Sequence, residues 1–262
     1  MIIYPDSAKI DSALIFDSHA HYDDPVFEDE LDSLLNCQRN GGLYAAISCA
    51  VDRSSSLKTI EIAEKYDFIY AAVGVHPENL SDSDFSFIYE LSKYEKCVAA
   101  GEIGLDYHYD ISNKNGQIKA FKTQLAIAKE LDLPVIVHDR DAHADTLSIL
   151  KEIRPKGVLH CFSGSLEMAK EIIDLGMYIG VGGVVTFKNA RKLPEIVAAL
   201  PKDRLLIETD CPYLAPEPYR GKVCHSGLIP FTAEKIAEIR NTTRDDILTT
   251  TRDNAKTLFN IK

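Results

Sequence analysis

Ile15-Phe16-Asp17-Ser18-His19-Ala20-His21 is a short apolar run that ends in a His-x-His pair. The plan returns along the chain. Glu102 follows Val98-Ala99-Ala100-Gly101, His138 follows Val135-Ile136-Val137, and His160 follows Val158-Leu159. Asp210 closes Leu205-Leu206-Ile207-Glu208-Thr209. Taken singly, a His-x-His pair or a His at the end of a strand is weak evidence of a metal. Read as parallel strands of one barrel, the runs bring four imidazoles and two carboxylates to a single mouth.

Eight apolar, β-rich segments support that reading: Ala13–Phe16, Gly42–Cys49, Phe68–Val75, Cys97–Ala100, Leu133–Val137, Gly157–His160, Met177–Val185 and Arg204–Glu208. Most are separated by stretches with apolar residues at helical spacing, such as Phe121, Leu125, Ala128 and Leu131, or Leu147, Leu150 and Ile153. Leu166–Leu175 repeats the pattern and Gly176 stops it. Alternating strand and helix imply right-handed crossovers and a parallel sheet. Eight such units in about 250 residues favour an α/β fold of the (β/α)8 TIM-like barrel kind over an open doubly wound sheet. No G-x-G-x-x-G follows the first strand, which argues against dinucleotide binding. No Gly/Ser or Pro-rich linker divides the chain, so a single domain over residues 1–262 is expected, with Pro212–Pro218 looping over the mouth.

Composition sets outer limits. The 262 residues are 45% hydrophobic, ordinary for a globular core. No apolar stretch approaches the roughly 20 residues that span a bilayer. Met1–Lys9 lacks the basic and apolar regions of a signal peptide, so the expected location is cytoplasmic, with no membrane partner. Six cysteines without C-x-x-C spacing read as reduced thiols. Alternation predicts that Cys161 and Cys211, each next to a proposed ligand, face away from it. A net charge of −11 argues against a broad basic surface gripping duplex DNA. It leaves a phosphate substrate open, because two divalent cations add four positive charges at one spot. A monomer fits this charge.

The six residues suit a two-metal hydrolase. His19 and His21 are two apart and project to one face of a strand, so one ion can take both. Glu102 has two oxygens and can bridge two cations, with His138 and His160 holding the second. Asp210 completes the set as a ligand that also orients water or takes its proton. Mixed nitrogen and oxygen donors suit Mg, Mn or Zn. Asp17 and Glu208 share parity with His19 and Asp210 but lie deeper, where they would orient a ligand. His76 before Pro77, and Arg140, Arg220 and Lys222 in loops, are candidate substrate contacts. Asp106 reads as a loop residue that positions the loop or the substrate. His108, His143 and His225 lack the strand-end placement and are left out. Tyr107, Tyr109 and Phe162 read mainly as packing residues.

At these positions the chain resembles the TatD family of metal-dependent hydrolases, within the wider amidohydrolase-like barrels. The likeness runs from Phe16 to about Phe259. Its motifs include Phe16-Asp17-Ser18-His19-Ala20-His21, Val73-Gly74-Val75-His76-Pro77 and Gly101-Glu102-Ile103-Gly104-Leu105-Asp106-Tyr107. Others are Leu133-Pro134-Val135-Ile136-Val137-His138-Asp139-Arg140, His160-Cys161-Phe162-Ser163-Gly164, Glu208-Thr209-Asp210-Cys211-Pro212-Tyr213 and Asn254-Ala255-Lys256-Thr257-Leu258-Phe259. The resemblance implies a barrel, two divalent ions and, for several members, 3′–5′ exonuclease action on DNA or RNA. It groups His19, His21, Glu102 and Asp210 around one ion and Glu102, His138 and His160 around the other. One segment departs. After Lys222 many relatives continue with Arg-Asn-Glu-Pro, where this chain has Val223-Cys224-His225-Ser226-Gly227. The expected function is thus a phosphodiesterase, a 3′–5′ exodeoxyribonuclease using water activated by metal on nucleic-acid ends. Hydrolysis of an amide, lactone or aminoacyl ester is the alternative, and a non-catalytic metal-binding barrel the third reading.

Overall fold

Strands form at all eight segments: β1 (Ile15–Ala20), β2 (Leu43–Cys49), β3 (Ile69–Val73), β4 (Cys97–Asp106), β5 (Val135–Arg140), β6 (Gly157–Leu159), β7 (Tyr178–Val181) and β8 (Leu205–Ile207). They stand in sequence order, each parallel to the next. The computed structural model describes residues 2–5, 10, 12–80, 84–109 and 112–262. Met1 and positions 6–9 of the N-terminal stretch therefore lie outside the described residues. Helices α1 (Leu31–Asn40), α2 (Arg53–Lys65), α3 (Phe87–Leu91), α4 (Lys114–Glu130), α5 (His143–Ile153), α6 (Leu166–Asp174), α7 (Lys192–Ala199), α8 (Ile229–Arg240) and α9 (Arg244–Phe259) follow the strands. The chain forms a nearly closed (β/α)8 barrel. Among the described residues, no helix is long and apolar enough to cross a membrane.

Local chemistry explains several boundaries. Asp52 and Ser55 form a reciprocal capping box at the start of α2, and Thr243 and Asp246 form another at α9. Ser165 caps α6, and Gly176 beyond it takes φ 87°, a left-handed conformation that favours glycine.

Two apolar clusters divide the interior. One fills the barrel with a residue or more from every strand, including Phe16, Ile47, Ala72, Ile136, Val158 and Leu206. Ala255 and Phe259 of α9 join it, and the Phe259 ring stacks on Phe16 at 6.3 Å. The larger cluster packs the outer faces of the strands against the helices.

The barrel closes differently from the way it is built. Between β8 and β1 there is one isolated bridge, Ala20 with Cys211. Around it, Asp210 N donates to His19 O at 2.9 Å and His21 N to Cys211 O at 2.8 Å. Side chains reinforce this seam. Asp17 accepts from Thr209 N at 3.0 Å and Thr209 Oγ1 at 2.6 Å, and Ser18 Oγ donates to Ile207 O at 3.0 Å.

Several strands end elsewhere than the apolar runs suggest. β1 and β5 extend through His19 and His138, and β4 runs on to Asp106. Glu102 therefore lies inside a strand, and Asp106 is a strand residue, not a loop residue. The physical cause is continued pairing: Gly104 partners His138 and Asp106 partners Arg140 after a register shift between Ala100 and Ile103. Gly104 permits it, because a Cβ there would strike the main chain of His138. Conversely, Met177–Val185 yields only Tyr178–Val181 before a 3-10 turn at Gly183–Thr186.

Candidate metal centre

Four donor atoms converge from β1 and the residue after it, from β4, and from the segment that follows β8. His19 Nε2 stands 3.1 Å from His21 Nε2, 3.4 Å from Glu102 Oε2 and 3.6 Å from Asp210 Oδ1. His21 Nε2 stands 3.6 Å from Glu102 Oε2 and 3.4 Å from Asp210 Oδ1. Donors about 2.1 Å from one tetrahedral cation lie about 3.4 Å apart, and these five separations lie close to that value.

The second oxygen of Glu102 faces other rings. Its Oε1 lies 2.7 Å from His138 Nδ1 and 2.7 Å from His160 Nε2, and those two nitrogens are 3.3 Å apart. Glu102 thus stands between two donor groups, one oxygen turned to each.

Outer partners set which imidazole nitrogen is free. His21 Nδ1 lies 2.7 Å from the carbonyl of Cys49, so the neutral ring carries its hydrogen there and has its lone pair on Nε2. His138 Nε2 lies 3.0 Å from Asp106 Oδ2, which leaves Nδ1 free on the Glu102 side. Asp106 is itself fixed by Gln117 of α4, whose Oε1 accepts from Asp106 N at 2.9 Å. His76 is wired in the opposite sense. Its Nδ1 accepts from Glu78 N at 3.2 Å, so the neutral ring carries hydrogen on Nε2, 3.8 Å from Glu102 Oε1. His21, His76, Glu102, Asp106, His138 and Arg140 border a cavity of about 670 Å³ at the barrel mouth.

Electrostatics follow from burial and pairing. Burial opposes charge on His21, but Asp210 and Glu102 lift it to about 9. His138 behaves alike, lifted to about 9 against burial by Asp106 and Glu102. His160 is raised by Glu102 and Glu208 despite burial. Burial and the charge of His160 hold His19 below the ordinary imidazole value, and burial pushes His76 down to about 4. Burial raises Glu102 and Asp210, yet the surrounding imidazoles bring both below the usual carboxylate range. A basin of ionised carboxylates and convergent imidazoles is a competent site for divalent cations.

A sequence profile described as TatD related DNase matches residues 16–260. The chain belongs to this family. It is 43% identical over 254 residues to the uncharacterized metal-dependent hydrolase YabD of Bacillus subtilis, covering 95% of this chain and 100% of that protein. It is 33% identical over 258 residues to the 3′-5′ ssDNA/RNA exonuclease TatD of Klebsiella pneumoniae, covering 94% and 98%. The crystal structure of the TatD homologue YjjV from Escherichia coli K12 superposes with a TM-score of 0.88 at 32% identity, over 95% of this chain and 99% of that one.

In this TatD-family barrel, the six residues singled out by strand position lie together, and His76 and Arg140 border the same cavity. Arg220 and Lys222 are exposed and do not line it; the Arg220 guanidinium sits 4.3 Å over the Phe187 ring. His108 and His143 pair with Asp141 and Asp139 at 2.8 Å each. His225 is buried, its Nε2 2.8 Å from the carbonyl of Ile3.

Asp17 does not orient a ligand ring. It accepts from His19 N, Thr209 and Ser226 Oγ, so it holds backbone and seam. A register shift between Asp17 and Ala20 interrupts the strand alternation that would set Asp17 on the same face as His19. Burial pushes Asp17 up to about 7 against these hydrogen bonds. Glu208 Oε1 accepts from Cys161 N at 2.5 Å and stands 3.7 Å from His160 Nδ1. Cys161 lines the cavity, contrary to alternation, because its φ of 43° has left strand geometry. Two contributors escape strand-end reading: Asp106, and Ser226 of the loop after Lys222. The first was within reach, since strand period two puts Glu102 and Asp106 on one face.

Proposed function

We propose that this chain is a divalent-metal-dependent phosphodiesterase that removes nucleotides from the 3′ ends of single-stranded DNA or RNA by attack of water on phosphorus. The observation that carries the reading is the division of Glu102, one oxygen toward the His19, His21 and Asp210 quartet and the other toward His138 and His160. We assign the first group to one Mg, Mn or Zn ion and the second to another, with Glu102 common to both. A bound pair supplies Lewis acidity, acidifying water and offsetting charge on the phosphate.

The protein's own groups do the rest. Asp210 is held ionised and its side chain is 18% exposed, against 4% for Glu102, so it is the carboxylate that meets entering water and takes its proton. His76 presents Nε2–H and no lone pair on that side, which makes it a donor to a non-bridging phosphoryl oxygen. Arg140, held 4.9 Å over the Tyr109 ring, supplies a fixed cation beside it. Asp106 keeps the His138 ring in one tautomer. The relative named as an ssDNA/RNA exonuclease supports the choice of substrate. In this reading the chain acts as one domain, as a monomer, in the cytoplasm.

The test is release of nucleotides from 3′-labelled single-stranded DNA with Mg²⁺ or Mn²⁺, beside a panel of amides, lactones and aminoacyl esters. Metal-dependent release is expected. Cleavage confined to the carbonyl panel would overturn the proposal.

A further inference from the structure

A second cavity, of about 400 Å³, adjoins the mouth and shares Cys161 and Ser163 with it. Its apolar wall is Phe162, Val184 and Leu193, and its rim carries Asn189, Arg191 and Lys192. The rim belongs to Lys188-Asn189-Ala190-Arg191-Lys192, between the 3-10 turn after β7 and the start of α7. This stretch holds three cations and no carboxylate in a protein with 40 acidic and 29 basic residues. All three side chains belong to exposed residues, and none takes part in an ion pair among the described residues. Unpaired cations beside an apolar wall, in a chain of net charge −11, are complementary to a ligand with a flat apolar face and an anionic backbone.

We propose that this second cavity binds the nucleotide adjoining the one removed, its base against Phe162, Val184 and Leu193 and its phosphate on Arg191 and Lys192. The inference rests on the phosphodiesterase reading and narrows it to a polynucleotide end. Continuity at Cys161 and Ser163 lets one covalent chain occupy both cavities. Asn189 on the rim offers an amide donor and acceptor to a base edge. A single-stranded end is required, because the base must leave its stack to reach the wall.

The experiment compares the wild type with the Arg191→Glu/Lys192→Glu double variant, whose exposed positions spare the fold. Two substrates are used: (dT)4, and thymidine 5′-(p-nitrophenyl) phosphate, which has one nucleoside and one phosphodiester. The variant should lose about tenfold in kcat/KM on (dT)4, mainly through KM, and remain within about twofold on the small substrate. An abasic site at the penultimate position of (dT)4 should cost the wild type roughly tenfold, as loss of one stacked base does. An unchanged (dT)4 rate, or equal losses on both substrates, would overturn the cavity's role.

Fluorescence anisotropy of labelled (dT)6 in EDTA separates this idea from the activity it rests on. Losing the one phosphate that Arg191 and Lys192 share should flatten the slope of log Kd against log salt by about 0.7, the value for one contact with a single strand. Should the wild type cleave neither phosphodiester, the phosphodiesterase reading falls and the anisotropy alone judges the cavity. Equal Kd values for wild type and variant then refute it.

Discussion

At the scale of single residues, Glu102 is the pivot, because each of its oxygens faces a different group of imidazoles. Glu102→Gln removes the negative charge and replaces one of the two oxygens with an amide N–H, which cannot ligate a cation. We expect it to weaken binding of both ions and to cut kcat by at least about 100-fold. Metal analysis with two ions still bound tightly would contradict the shared role. Asp210→Asn tests a different property. It retains an oxygen donor but no longer takes a proton at neutral pH, so metal content should persist while kcat falls by roughly 10²–10⁴. Near-normal turnover in that variant would remove Asp210 from the chemistry. The six convergent residues were legible in the sequence because each follows an apolar run. Less legible were the groups that set their tautomers. The carbonyl of Cys49 holds His21 and the carboxylate of Asp106 holds His138, and neither contact has a sequence signature of its own. His76 was readable as a mouth residue, but its donor role depends on one main-chain hydrogen bond from Glu78.

At the scale of elements, strand existence was legible and strand length was not. The apolar run of the fourth segment stops at Ala100, yet β4 continues through Gly101 and Gly104, where a Cβ would meet Ile136 and the main chain of His138 respectively. The segment Val223–Gly227 shows the converse. Its function in the fold is invisible to motif reading but plain in the structure: Ser226 Oγ donates to Asp17 Oδ2 at 2.6 Å, and His225 reaches Ile3 near the N-terminus. His225 makes a pH prediction. Burial lowers its pKa to about 4, below the unfolded value of about 6.5. Between those values the unfolded chain takes up a proton that the folded chain refuses. Stability contributed by the neutral ring is therefore complete above about pH 6.5 and is lost as pH falls toward 4, by at most about 3 kcal/mol. His225→Gln keeps a donor for the Ile3 carbonyl and does not titrate. Urea melts from pH 7 to 4.5 should show a flatter stability profile for the variant. Asp17 titrates in both proteins and cancels in the difference; parallel profiles would rule out the assignment to His225.

At the scale of the whole molecule, the barrel and the site are one construction. Seven strand pairs are joined by ladders, and the eighth junction is held by one bridge and the residues around it. Bound cations would add ligand bonds across that junction, from His19 and His21 on one side to Asp210 on the other. Removal of metal with EDTA should lower Tm, and restoring Mn²⁺ or Zn²⁺ at 100 times Kd should return about 2.7 kcal/mol. A Tm indifferent to chelation would show that the donors hold no ion in the folded protein. The same junction bears on biosynthesis. His19 leaves the ribosome early and Asp210 late, and α9, which plugs the barrel beneath Phe16, follows later still. A nascent or truncated chain therefore has no complete ligand set, however well its first strands have formed. If this enzyme degrades nucleic acid, it carries its own safeguard against premature action: the nuclease cannot be switched on before translation has delivered its last strand.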